Sequence, residues 1–157
     1  MRLELMDRSH RKRVEEALRE EFGVEGGLGE EFVALYSSEG KVRVTTPEVF
    51  EVAREIGRFE SVGLYVLKTT KFGVYLSLEG SQLLRDRIRR NVVEVDRERL
   101  EVWMRGEPIP LEGVKGSVEG EYAVVRWRDV YAGSGKVSKD GKLHPQIPKS
   151  RRLLGVE

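Results

Sequence analysis

The sequence offers little for covalent or metal chemistry. It contains no cysteine and two histidines, His10 and His144. Without cysteine there is no disulfide, no thiolate zinc ligand and no thiolate nucleophile. Neither histidine stands at a metal-ligand spacing from a partner. No acid–base or nucleophile constellation emerges, so neither catalysis nor a cofactor is expected. Gly133-Ser-Gly-Lys136 invites a phosphate-loop reading. A Walker loop, however, needs a glycine five residues before the Gly-Lys pair and a hydroxyl after the lysine, and those places hold Val130 and Val137. The dinucleotide pattern fails too, because Ser138 stands where its third glycine belongs. What remains is a strand with internal glycines. It is read either as a bend in the sheet or as bared amides that admit a nucleotide or phosphate.

The chemistry the chain does offer is that of a polyanion contact. Lys136, Lys142, Lys149, Arg151 and Arg152 cluster around Pro145 and Pro148, with His144 and Gln146 among them. Residues 133–157 carry a formal charge of +4, whereas residues 1–132 carry −3. A basic end on a slightly acidic body suits nucleic acid, although an ordinary solvated tail gives the same count. Proline stiffens the segment, so the cations lose less freedom on binding. Phosphates would be held by charge, base edges by Gln146, and unpaired bases by stacking on Trp127 or Tyr131. The expected RNA-contact set is Lys136, Lys142, His144, Gln146, Lys149, Arg151 and Arg152. A surface-turn role for His144 stays open. Arg85, Arg87, Arg89 and Arg90 form a second cluster, read either as solvated helix-end charge or as a phosphate rim.

Several elements must position these groups. Val14, Leu18 and Phe22 recur at helical spacing after Ser9, a candidate cap, and Gly23 stops that helix. Two strands, Phe32 to Ser37 and Lys41 to Thr45, flank a Glu39-Gly40 turn, and Thr46-Pro47 starts a helix that ends at Gly57. Strands over Val62–Leu67 and Gly73–Leu78 precede a helix expected from Glu79 to Arg90. Asn91 opens a second unit. It holds a short strand to Val95, a helix from the Asp96 cap to about Arg105 with Trp103 inward, and an extended Pro108–Leu111. Tyr122–Trp127 and Val130–Val137 read as paired strands, Lys139-Asp140-Gly141 as a tight turn, and Arg152–Val156 as a closing strand.

At 157 residues the chain supports one good core or two small units sharing an interface. No apolar run reaches membrane-spanning length, and Met1–Arg13 is charged, without the apolar core of a signal peptide. A cytoplasmic address is expected. The Arg/Glu-rich composition suits the surface ion-pair networks of a thermophile.

Taken together, Asn91-Val-Val-Glu-Val-Asp96, Met104-Arg-Gly-Glu107, Tyr122-Ala-Val-Val-Arg126, Ala132-Gly-Ser-Gly135 and Pro145-Gln-Ile-Pro-Lys149 resemble the C-terminal PUA-like RNA-binding domain of RNA cytosine-5 methyltransferases of the nucleolar-antigen/Sun class. The resemblance runs from Asn91 to Arg152 and fades over Phe32–Ile88. It does not reach those enzymes' catalytic half. It implies an α+β protein in which a mixed α/β unit, 1–88, precedes a PUA-like β-barrel, 91–157. It also implies a non-enzymatic protein binding ribosomal or transfer RNA in ribosome biogenesis or RNA modification. The alternative is a subunit that docks on a separately encoded RNA methyltransferase, or on a ribosome-assembly factor.

Overall fold

The structure, a computed structural model, describes residues 3–57, 62–148 and 152. It opens with strand β1 (Glu4–Leu5) and helix α1 (Arg8–Phe22). Asp7, not Ser9, caps α1, its carboxylate accepting the His10 N–H at 2.7 Å. Ser9 falls inside the first turn and takes a hydrogen bond from Arg13 instead. Val14, Leu18 and Phe22 are the buried stripe of α1, as their spacing requires.

Strands β2 (Val33–Tyr36), β3 (Lys41–Thr45), β4 (Leu64–Thr70) and β5 (Gly73–Leu76) complete a five-stranded antiparallel sheet in chain order. Helix α2 (Pro47–Ile56) lies between β3 and β4, with Thr46 as its cap and Pro47 in its first turn. Helix α3 (Leu78–Leu84) follows β5, capped by Ser77 through the Gly80 N–H at 2.8 Å.

The helix expected over Glu79–Arg90 is therefore shorter. Arg85 takes φ 45°, ψ −124°, and a 3-10 turn spans Arg85–Arg87. Tertiary contacts end it. The Arg87 guanidinium donates to the Glu25 and Gly27 carbonyls, and the N–H groups of Arg89 and Arg90 both donate to Phe22 O. These bonds tie the segment to the end of α1 in place of further helical turns, and bury Ile88.

The second sheet contains β6 (Val92–Glu94), β7 (Ile109–Pro110), β8 (Tyr122–Trp127), β9 (Val130–Val137) and β10 (Lys142–Pro145), with helix α4 (Arg97–Met104) between β6 and β7. The spatial order is β6-β8-β9-β10-β7, with β6 parallel to β8 and the other pairs antiparallel. Strand β10 was not among the expected strands. The Lys139-Asp140-Gly141 turn delivers it, and Pro145 is tolerated as its last residue. Arg152 lies in a bend, and the rest of the expected Arg152–Val156 strand falls outside the described residues.

Strand β8 is buried on both faces, which explains its unbroken apolar run. Tyr122 and Val124 point into the core made with α1, α3 and the first sheet, while Ala123 and Val125 point into a second core around Trp103. The period of two along one strand thus feeds two cores. Three buried polar side chains pair across the sheets, as burial requires. Ser134 Oγ accepts the Leu76 N–H and donates to the Leu76 carbonyl, both at 2.8 Å. Ser81 Oγ accepts the Gly133 N–H at 2.8 Å. Asn91 donates to Glu21 O and accepts the Glu119 N–H. Among the described residues no helix is long and apolar enough to cross a membrane.

Candidate nucleic-acid interface

Lys136, on β9, lies opposite Tyr122 of β8 and His144 of β10. Strand alternation puts Leu143 of β10 in the Trp103 core and leaves Lys142 and His144 on the other face, which Lys136 shares. Gln146 follows immediately, its N–H held by Ser134 O at 3.0 Å. These side chains converge on a cleft of about 620 Å³ lined by Lys136, His144 and Gln146 together with Ser138, Lys139 and Glu121. Lys142 stands exposed on the same strand as His144.

The remaining expected residues lie elsewhere. Arg152 packs over Gly106 at the end of α4 and donates to Ile147 O at 3.0 Å, so its guanidinium serves the chain itself. Lys149 and Arg151 fall outside the described residues. Tyr131 is buried, whereas Trp127 is half-buried with the Arg128 guanidinium 4.8 Å from its ring centroid. In the second arginine cluster, Arg87 is committed to backbone carbonyls and Arg90 pairs with Glu119 at 3.4 Å.

Gly133 and Gly135 do not bare their amides to solvent. Both are buried, and Gly133 gives its N–H to Ser81. A Cβ on Gly135 would run into the Trp103 indole and stand 2.5 Å from the His144 carbonyl oxygen. The chain itself fills the space that the missing side chains leave: the start of α3 at Gly133, and Trp103 at Gly135.

Carboxylates moderate the cleft's charge. Burial pushes the Glu21 carboxyl above the ordinary range, and nearby Glu121 adds to the rise against the opposing Tyr122 N–H and Arg90. Its Oε1 is buried without a hydrogen bond among the described residues, close to Gly120 on the cleft wall. Asp140, by contrast, is held below the usual range, first by the Ser138 hydroxyl and then by the Lys142 N–H. Its Oδ1 lies 4.0 Å from His144 Nε2.

Sequence reasoning missed Phe72. It sits at the β4–β5 turn, is 44% exposed, and has Lys136 Nζ 4.0 Å from its ring centroid. The available signal was an aromatic between lysine and glycine, Lys71-Phe72-Gly73, at a turn between two expected strands.

Residues 90–153 match the family model of the methyltransferase RsmF PUA domain. The comparison with curated proteins finds no match. Among solved structures, a PUA domain from Aeropyrum pernix K1, determined as a tartrate complex, is similar with a TM-score of 0.52 and 17% identity. It covers 86% of this chain and 71% of that one. At that identity the likeness is one of fold, and its extent reaches well into the first sheet. Residues 90–153 are thus similar to the PUA domain of methyltransferase RsmF, and the chain has a PUA-like α+β fold in which the first sheet packs against the second.

Proposed function

We propose that this protein binds structured RNA, ribosomal or transfer, and acts in the cytoplasm in ribosome biogenesis or RNA modification without catalysing a reaction itself. The observation that carries the reading is the cleft on the PUA-like sheet, where Lys136, Lys139, His144 and Gln146 meet. Lysines supply phosphate neutralisation, and the glutamine amide supplies two-way hydrogen bonding to a base edge. We place Lys149 and Arg151 in the same contact, continuing the basic segment. A transferase role is disfavoured because the sequence has no cysteine for attack on a cytosine ring.

The test is salt dependence. Lys139→Ala with Lys142→Ala, both exposed, is expected to weaken binding to transfer or ribosomal RNA. The slope of log affinity against log salt should flatten by roughly 1.5, and the melting temperature should stay almost unchanged. The control pair, Arg8→Ala with Lys12→Ala, lies at the far end of α1, a helix about 20 Å long whose other end approaches the cleft. Equal losses from both pairs would mean diffuse attraction and would overturn the site.

A second reading, docking on a separately encoded RNA methyltransferase or assembly factor, is favoured by α2. Ala53 is its one buried residue, while Val49, Val52 and Ile56 are 49%, 55% and 67% exposed along one stripe. Glu48, Glu51 and Glu55 make this helix unfit for RNA and suited to a basic, apolar protein segment. Mixed with a methyltransferase catalytic chain, the protein should form a complex that Val52→Glu with Ile56→Glu abolishes while RNA affinity persists. No complex by light scattering removes this reading.

A further inference from the structure

Phe72 belongs to neither apolar core. Its ring stands in solvent at a position the chain takes some trouble to fix. The Phe72 N–H donates to Thr70 Oγ1 at 3.1 Å, and Thr70 Oγ1 is bonded in turn to the Tyr122 hydroxyl at 2.8 Å. The turn tip of the first sheet is thereby clamped to the second sheet, beside the cleft. Two cations attend the ring: Lys136 Nζ at 4.0 Å and Lys71 Nζ at 5.1 Å from its centroid. Lys136 also lines the cleft that His144 and Gln146 share.

A clamped, exposed aromatic ring attended by two cations, one of which also lines a cleft holding an amide, has the chemistry of a seat for one unpaired nucleotide. A base stacks on an aromatic face whatever its identity, and the flanking phosphates need positive charge within reach. The lysines on the ring are long and flexible, and an exposed cation–π contact is weak enough to be exchanged for a cation–phosphate contact. We infer that Phe72 is the stacking platform of the cleft. An unpaired RNA base lies on its ring, Lys71 and Lys136 take the adjoining phosphates, and Gln146 meets the base edge. The inference rests on the RNA-binding reading and adds to it that the contacted nucleotide is unpaired, and that the first sheet contributes to the site.

The test uses a short single-stranded RNA carrying one 2-aminopurine, with the fully paired duplex of the same sequence as competitor. Binding should quench the fluorophore. Phe72→Leu should weaken binding of the single strand about ten-fold or more and remove the quenching, while the salt slope stays that of the unaltered protein. Phe72→Tyr, which keeps the ring, should restore both. The leucine variant is expected to fold, because the ring it removes lies outside both cores. If Phe72→Leu binds and quenches like the unaltered protein while Lys139→Ala with Lys142→Ala still weakens binding, the stacking role is overturned and the RNA reading survives. If the duplex competes as well as the single strand, the unpaired nucleotide is overturned. If the unaltered protein binds neither RNA, both readings fall together.

Discussion

Trp103→Ala should cost about 3–5 kcal/mol of folding free energy, the range for removing a large buried aromatic. Trp103 is fully buried and is the largest buried side chain of the second core, which it shares with Val93, Val125, Ala132 and Leu143. Its Nε1–H donates to the Ala132 carbonyl at 2.7 Å, so truncation leaves a buried acceptor as well as a cavity. The two losses can be separated. Trp103→Phe keeps much of the volume but drops the hydrogen bond, and should cost about 1–3 kcal/mol. Urea unfolding measures both, because a shift in midpoint at constant slope reports stability alone. A loss below about 1 kcal/mol for Trp103→Ala would mean that the indole is not the keystone of this core. The first core, built on α1 and the first sheet, does not contain Trp103, so a residual transition from it is the expected sign if the two cores unfold separately.

The elements that the sequence made legible are those whose signal is local. α1 announces its buried stripe through Val14, Leu18 and Phe22, and α2 announces its start through Thr46-Pro47. Strands β8 and β9 announce their pairing by composition. What stayed hidden is tertiary. Nothing near Arg85 foretells that Arg87 and Arg89 will bond to the end of α1 and stop the helix at Leu84. Tyr122-Ala-Val-Val125 reads as a strand, but its sequence does not say that alternate residues serve different cores. The site divides the same way. That Lys136, His144 and Gln146 would stand together was legible because they lie close in the chain and share a charged surrounding. Phe72 was not, because only the packing of one sheet on the other brings it beside Lys136. Of the two readings of Gly133-Ser-Gly135, a bend or bared amides, the second does not hold, since sequence shows a missing side chain but not the residue that occupies its place.

That occupied place gives the second large effect. Gly135→Ala should destabilise the protein by about 1–3 kcal/mol, the usual cost of overpacking a filled core. The backbone conformation is not the reason, because Gly135 is absent from the glycines at positive φ and alanine could adopt its geometry. The cost is steric: the added methyl meets the Trp103 indole on one side and the His144 carbonyl, 2.5 Å away, on the other. Gly141→Ala makes the contrast. There φ is 78° and nothing lies within 4 Å, so its cost, about 1–2 kcal/mol, is one of conformation without collision. Trp103→Leu separates the mechanisms. It removes the indole from above Gly135, so Gly135→Ala should cost less in that background, whereas Gly141→Ala should cost the same. Rescue must remain partial, because His144 O is backbone and cannot turn aside. The same collision pushes β10 away from β9 where Lys136 faces His144, so RNA affinity should fall in protein that is still folded. A Gly135→Ala protein within about 0.5 kcal/mol of the original, with unaltered RNA binding, would show that β9 and β10 yield at this point and that the close packing under the cleft does not set its shape.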